Sequence, residues 1–133
     1  MIANRLSALW ARSALAWFLV TVGLGLFMGI TQKFNYAPAH AHMGVLGWLS
    51  SAAISYLHTI ARPFAAGARV PRLHWATHNV GVAIMTVSLF LEMHYGSGYG
   101  PLIAVGAVIV VVSVVWLAAM MWGRLGAVED STA

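Results

Sequence analysis

The sequence predicts an all-α membrane protein, a bundle or arc of four transmembrane helices that forms one membrane domain over residues 1–133, with both termini cytoplasmic. Apolar residues make up 61% of the 133 positions and charged residues only 8%, far from the balance of soluble proteins. The apolar residues gather in four stretches, each close to the roughly 20 residues that cross the hydrocarbon core as a helix. The connections are short, so neighbouring helices should run antiparallel.

The first predicted helix covers about residues 13–31. Arg5 and Arg12 precede it, as basic residues precede the apolar run of a signal peptide. The run is longer than a typical signal-peptide core, and no small-x-small cleavage site follows it closely, so we expect a retained helix. Gly25 and Gly29 have the four-residue spacing that lets another helix approach closely, although glycine is common in membrane helices in general.

The second and third predicted helices cover about residues 39–61 and 73–94. The loop between them, ARPFAAGARVPR, carries two prolines and three arginines and should be a cytoplasmic turn. A tight, glycine-rich outer hairpin, YGSGYGP, leads to the fourth helix at about residues 101–122. This helix has no ionisable residue before Arg124, and its valines suit lipid contact or plain packing.

The basic residues predict the orientation in the membrane. With a cytoplasmic N-terminus, only Lys33 falls on the outer side, as the positive-inside rule expects for an even number of spans. The inner side receives Arg5, Arg12, Arg62, Arg69, Arg72 and Arg124. We therefore expect a multi-pass protein of the bacterial cytoplasmic (inner) membrane, surrounded by lipid and without a nucleic-acid partner despite a net charge of +4. The absence of cysteine excludes disulfides, iron–sulfur ligation and thiol catalysis.

All the histidines belong to the second and third predicted helices or their ends, namely His40, His42, His58, His74, His78 and His94. Ionisable groups in a bilayer are costly and rare, so this concentration indicates a function. The histidines form two layers, because about 24 Å separates His42 from His58 at 1.5 Å per residue. The outer layer also contains Glu92. The alternative is that the histidines at helix ends only sit at the interface and that Glu92 reaches water.

Helical periodicity distributes these residues over faces. One side of the second helix is a stripe of small residues with a histidine at each end: His40, Gly44, Gly47, Ser51, Ser55 and His58. This stripe should leave space for something flat. His42 points about 200° away from His40, so the two can serve different sites. One face of the third helix carries His74, His78, Gly81, Met85, Ser88 and Glu92.

Imidazole without cysteine suits haem iron, copper, zinc or nickel. A haem needs an axial imidazole and a slot with small and apolar walls, and the second helix offers both. A bare metal ion needs three or four converging ligands. The outer layer could supply them as His40, His42, Glu92 and His94. The residues themselves leave both alternatives open.

Residues 40–63, HAHMGVLGWLSSAAISYLHTIARP, resemble the second transmembrane helix of the haem–copper oxidase catalytic subunit, especially in cbb3-type oxidases and nitric oxide reductases. In that family a histidine near the outer side ligates the low-spin haem and is followed by glycines and a Tyr-x-x-x-Arg-like exit. The matching positions here are His42, Gly47, Tyr56 and Arg62, the last at a longer spacing. The resemblance implies that His42 is an axial haem ligand. The His-x-His pair also looks like the pair that reaches two haems on a later helix of the family.

The catalytic subunit of that family contains three arcs of four helices, and this chain resembles one arc. The resemblance implies a homotrimer in which His42 and His40 of adjacent protomers face shared haem slots. The His-His pair of the family's copper site and its His-Pro-Glu-Val-x-Tyr motif are both missing, so oxygen reduction in the oxidase manner is not expected. Glu92 and His94 could instead hold copper or non-haem iron, as a glutamate assists in nitric oxide reductases.

The resulting hypothesis is a haem b protein for electron transfer or for binding of O2 or NO, with His42, His40 and His78 as cofactor ligands and Glu92 and His94 as metal ligands. No catalytic residue is assigned, and an oxidoreductase activity is left open. The first alternative is a protein that handles copper, zinc or nickel through its two histidine layers. The second is a non-catalytic assembly subunit.

Overall fold

The computed structural model of the chain shows four helices in the residues that it describes. The structure describes residues 5–65 and 67–125, and these contain no β-strand. Helix α1 is Arg5–Thr31, and a 3-10 turn, Phe34–Tyr36, follows it. Helix α2 has three consecutive parts, Ala37–His42, Met43–Leu49 and Ser50–Ile60. Helix α3 is Val70–Tyr95 and helix α4 is Gly100–Leu125. The predicted all-α fold is confirmed.

Helices α1, α3 and α4 are each long and apolar enough to cross a membrane, which identifies the chain as a membrane protein. Helix α1 begins at Arg5, eight residues before the predicted start at 13. Hydropathy detects only the apolar part of a helix, whereas residues 5–12 continue the same helix with basic and polar side chains among the apolar ones. The predicted bounds of the helices α2, α3 and α4 agree with the structure to within three residues at each end. Helix α2, which is divided into three shorter parts, is not among the three described helices that are long and apolar enough to cross a membrane.

The middle part of α2, Met43–Leu49, is a π-helix, which the sequence did not predict. Its wider turn brings the carbonyl oxygen of Val45 within reach of both the backbone N–H and the side chain of Ser50, whose Oγ lies 2.8 Å away. Short π-helical segments within helices are frequent at functional sites. This one begins at the residue after His42.

Helices α3 and α4 approach each other closely at two glycines. A Cβ atom on Gly106 would clash with the backbone of Met85, and one on Gly81 would lie 2.7 Å from the Ile109 side chain. Small residues at facing positions allow this separation, as is usual between membrane helices. The α3–α4 contact is one of two closely packed helix pairs in the fold, and the other joins α1 to α2.

The stripe of small residues on α2 is covered by α1. A Cβ atom on Gly47 would lie 2.6 Å from the ring of Trp17, and Ser55 donates a hydrogen bond of 2.8 Å to the carbonyl of Ser7. The expectation that this stripe leaves space for a flat cofactor is therefore wrong. The stripe is the surface on which α1 packs, and the indole of Trp17 fills the room that Gly47 leaves.

Candidate functional site

His42 is the last residue of the first part of α2, and its ring is exposed on the surface of the helix bundle. Its Nδ1 lies 2.7 Å from the carbonyl oxygen of Pro38. A carbonyl can only accept, so Nδ1 carries the proton and donates it, and Nε2 keeps its lone pair. A neutral imidazole in this tautomer is ready to bind a metal through Nε2, with the other nitrogen held by a backbone carbonyl.

An apolar groove of about 320 Å³ lies next to this imidazole. His42 and Leu46 form its wall on α2, and Met85 contributes from α3. The wall on α4 consists of Ala107, Val110, Val111, Val114 and Val115. Apart from His42, every side chain that lines the groove is apolar. The groove is open on one side, so a single chain encloses it only in part.

His40 faces the opposite side of α2, as the angular estimate predicts. Its Nδ1 lies 3.0 Å from the carbonyl oxygen of Thr21 on α1, and its ring packs against Gly25. A Cβ atom at Gly25 would lie 2.9 Å from the His40 ring, so this glycine gives the close approach that the sequence suggests, whereas Gly29 has no atom nearby. His40 and His42 therefore belong to different surroundings.

His78 is completely buried, and both of its ring nitrogens are engaged. Its Nε2 lies 3.0 Å from the carbonyl oxygen of Leu46, and its Nδ1 lies 3.2 Å from Ser113 Oγ. Because the carbonyl can only accept, Nε2–H donates to Leu46 and Nδ1 accepts from the serine hydroxyl. In this arrangement His78 has no lone pair to offer to a cofactor. Its role is to link α3 to the π-helical part of α2 and to α4.

His74 extends the same network. Its Nε2 lies 3.1 Å from both the carbonyl oxygen and the Oγ of Ser113. The Nε2–H group of His74 therefore donates to Ser113, and the Ser113 hydroxyl donates its own hydrogen to His78. The ring of Trp10 covers the two imidazoles at centroid distances of 5.3 and 5.4 Å. We call His74, His78, Ser113 and Trp10 the buried histidine cluster.

Three buried polar atoms on three helices have no hydrogen-bond partner within the described part of the chain: Trp10 Nε1, Ser51 Oγ and His74 Nδ1. Leaving such an atom unpaired costs about 1–3 kcal/mol, and proteins commonly satisfy such atoms with ordered water. Two of these atoms, Trp10 Nε1 and His74 Nδ1, belong to the buried histidine cluster, which is therefore suited to internal water. The inner layer of the predicted histidines is buried, since His58, His74 and His78 all have exposures of 2% or less.

Glu92 and His94 lie near the α3–α4 hairpin and have separate partners. Glu92 Oε2 accepts a 2.8 Å hydrogen bond from the backbone N–H of Tyr99, which closes the hairpin. His94 Nδ1 lies 2.8 Å from the hydroxyl of Tyr36, and its ring stacks on Phe90. Residues 5–65 and 67–125 contain no group of three or more His, Asp or Glu side chains arranged to hold one metal ion. The outer layer is thus not assembled into a metal site within one chain.

The roles of Ser113 and Trp10 were not predicted from the sequence. Ser113 carries the single hydroxyl group within residues 101–122, and an isolated hydroxyl on an otherwise apolar helix is a signal for a buried hydrogen bond. Indole N–H groups also join helices, because Trp17 donates to Asn79 at 2.9 Å and Trp75 donates to Ser13 at 2.8 Å. Tryptophan in the middle of a membrane helix could have suggested such bonds.

No protein-family model matches the chain, and neither a curated protein nor a solved structure matches it significantly. The similarity of residues 40–63 to haem–copper oxidases therefore remains a hypothesis drawn from those residues. The geometry of the chain itself, above all at His42 and the apolar groove, is the basis for inferring its function.

Proposed function

We propose that this protein binds haem b in the membrane, with His42 Nε2 as an axial ligand, and that it carries electrons or binds O2 or NO. The observation that carries this proposal is the 2.7 Å hydrogen bond from Nδ1 to the carbonyl of Pro38, since it leaves the Nε2 lone pair beside an apolar groove. A bound haem supplies a reversible one-electron change at iron and a coordination position for a diatomic gas.

The composition of the groove favours a porphyrin over a bare metal ion. A bare ion needs three or four protein ligands, whereas a porphyrin brings four nitrogens and needs only axial ligands from the protein. The groove supplies one imidazole and otherwise aliphatic side chains and one thioether. These are suitable contacts for the apolar face of a porphyrin, and they would exclude water from the ring.

The open side of the groove leaves room for a second copy of the chain, and the resemblance implies that the copies form a homotrimer. A porphyrin has two faces, and a groove that is open on one side would cover one of them. A second copy of the chain would cover the other face and bring its own residues to the ring. The resemblance assigns this second contribution to His40, which is half-buried between α1 and α2 with its ring against Gly25. Its Nδ1 faces the carbonyl of Thr21, so Nε2 would be the ligating atom. Native mass spectrometry in detergent should give the mass of a trimer, and a clean monomer or dimer contradicts this part of the proposal.

An absorption spectrum tests haem binding directly. Purified protein should show a Soret band, either as isolated or after haemin is supplied. His42→Ala should remove or shift this band, and imidazole added to His42→Gly should restore it. His94→Ala removes the other exposed imidazole and should keep the band. A preparation that stays colourless with haemin, or an unchanged spectrum in His42→Ala, contradicts the proposal.

A further inference from the structure

A second cavity, of about 570 Å³, lies at the opposite end of the bundle from the α3–α4 hairpin. Three arginines line it, Arg5 and Arg12 from α1 and Arg72 from the first turn of α3. The rest of the lining is apolar or backbone: Leu6, Leu9, Pro63, Phe64, Ala65, Gly67 and Ala68. The cavity therefore combines three guanidinium groups with an apolar wall.

Among the residues that the structure describes, none that lines this cavity balances its positive charge. Glu92 is the one acidic residue within residues 5–65 and 67–125. Its carboxylate accepts a hydrogen bond from the backbone N–H of Tyr99, at the other end of α3. Glu92 is twenty positions from Arg72, or about 30 Å along the helix. The N-terminal turn of α3 adds to the positive potential, because it contains no acidic residue and has no side-chain cap. An anion is the ligand that this electrostatic environment favours.

The depth of the cavity identifies the kind of anion. Arg5 and Arg12 lie on the same face of α1 with Leu9 between them, and seven residues separate them by about 10 Å. The apolar run of α1 starts directly after Arg12. With the hydrocarbon core starting at this point, Arg12 would lie at the inner edge of the headgroup region, which contains the phosphates of membrane lipids. Leu9 and Phe64 provide apolar surface for the first part of an acyl chain.

We propose that this cavity binds the headgroup of an anionic phospholipid, with Arg5, Arg12 and Arg72 around the phosphate and with Leu6, Leu9 and Phe64 along the acyl chains. Basic pockets between membrane helices bind such headgroups through the same chemistry. Free inorganic phosphate shares the charge but not the acyl chains, so it should bind less well than the lipid. This lipid site is independent of the haem groove.

Native mass spectrometry of the full-length protein tests the site. Phosphatidylglycerol added to delipidated protein should give retained adducts, whereas phosphatidylcholine should give few. Arg12→Gln should weaken phosphatidylglycerol binding about five-fold, because each arginine near an anionic headgroup contributes about 1 kcal/mol. Arg69→Gln is the matched control. It removes the same charge from the neighbouring loop at a residue that does not line the cavity, and it should leave binding unchanged.

Thermal unfolding in detergent gives a second measurement. Phosphatidylglycerol should raise the melting temperature of the wild type and of Arg69→Gln, and should raise that of Arg12→Gln less. Circular dichroism should give the same helix content for all three proteins, because these arginines are exposed. Three results would overturn the proposal. The two lipids could bind equally well, Arg12→Gln and Arg69→Gln could lose the same amount of phosphatidylglycerol binding, or inorganic phosphate at the same concentration could stabilise the protein as much as the lipid.

Discussion

The Nδ1 atom of His42 lies 2.7 Å from the carbonyl oxygen of Pro38, one turn earlier in α2. This bond fixes the tautomer of the imidazole and restricts rotation of its ring, as outer-shell hydrogen bonds do for metal-ligating histidines. The ring lies at the bundle surface, so it can bind a ligand without any change in the core. Haem binding should then depend on the apolar walls of the groove as much as on His42 itself.

Val111→Phe should lower haem occupancy without removing the ligand. Val111 lines the groove, and a phenyl ring there would occupy part of its volume of about 320 Å³. Haem titrations followed at the Soret band should show weaker binding, by roughly ten-fold for about 1.4 kcal/mol of lost contact.

Val112→Phe is the control for this variant. Val112 is the adjacent residue on α4, has an exposure of 52% and does not line the groove. Val112→Phe makes the same change in side-chain volume at an exposed position outside the groove. Equal haem affinities in the two variants would show that the groove is not the binding surface.

Two glycines in membrane helices should respond to alanine in opposite directions. Gly106→Ala inserts a methyl group against the backbone of Met85, which cannot move without separating α3 from α4. We expect a loss of about 1–3 kcal/mol in the free energy of unfolding. Gly23 has no atom within 4 Å of an added Cβ, so Gly23→Ala should be neutral or stabilising by up to about 1 kcal/mol. Unfolding in mixed micelles measures both, and similar values for the pair would contradict the tight contact.

The sequence was sufficient to predict four helices, because each of the four apolar stretches has about the length that crosses a hydrocarbon core as a helix. It did not predict the π-helical part of α2, since a periodicity of 3.6 residues was assumed throughout. The start of α1 was also missed. Residues 5–12 are helical because they pack, with Trp10 completely buried against the histidines of α3, and hydropathy does not detect such contacts.

The sequence also predicted space for a flat ligand along the stripe of small residues on α2, and in the structure α1 fills this space. Gly47 and its neighbours were interpreted as empty space, but a stripe of small residues on one helix does not show what the next helix places against it. Here the partner is Trp17, a large ring that fits the space. The opposite orientations of His40 and His42 were predictable, because they follow from the geometry of a single helix turn. The groove beside His42 was not predictable from the sequence, since side chains of three helices form it.

Ser113→Ala should destabilise the protein through the buried histidine cluster. The substitution removes the hydroxyl that donates to His78 Nδ1, while His74 Nε2 keeps the backbone carbonyl of residue 113. One buried acceptor is left unpaired, which costs about 1–3 kcal/mol in the free energy of unfolding. Ser50→Ala is the control, because that hydroxyl bonds only within its own helix to Val45. A loss as large in Ser50→Ala would argue against a special role of the cluster.

The predicted orientation can be tested with single cysteines, because the chain contains none of its own. Ala65 lies in the loop between α2 and α3, Ser97 lies in the hairpin between α3 and α4, and both are exposed. The inner side should carry the arginine-rich loop, since positive charge is retained in the cytoplasm. In intact bacterial cells a membrane-impermeant maleimide should therefore label Ser97→Cys and not Ala65→Cys, and cell lysis should make both reactive. Labelling of Ala65→Cys alone in intact cells would reverse the orientation, and labelling of both or neither would contradict a membrane-spanning α3.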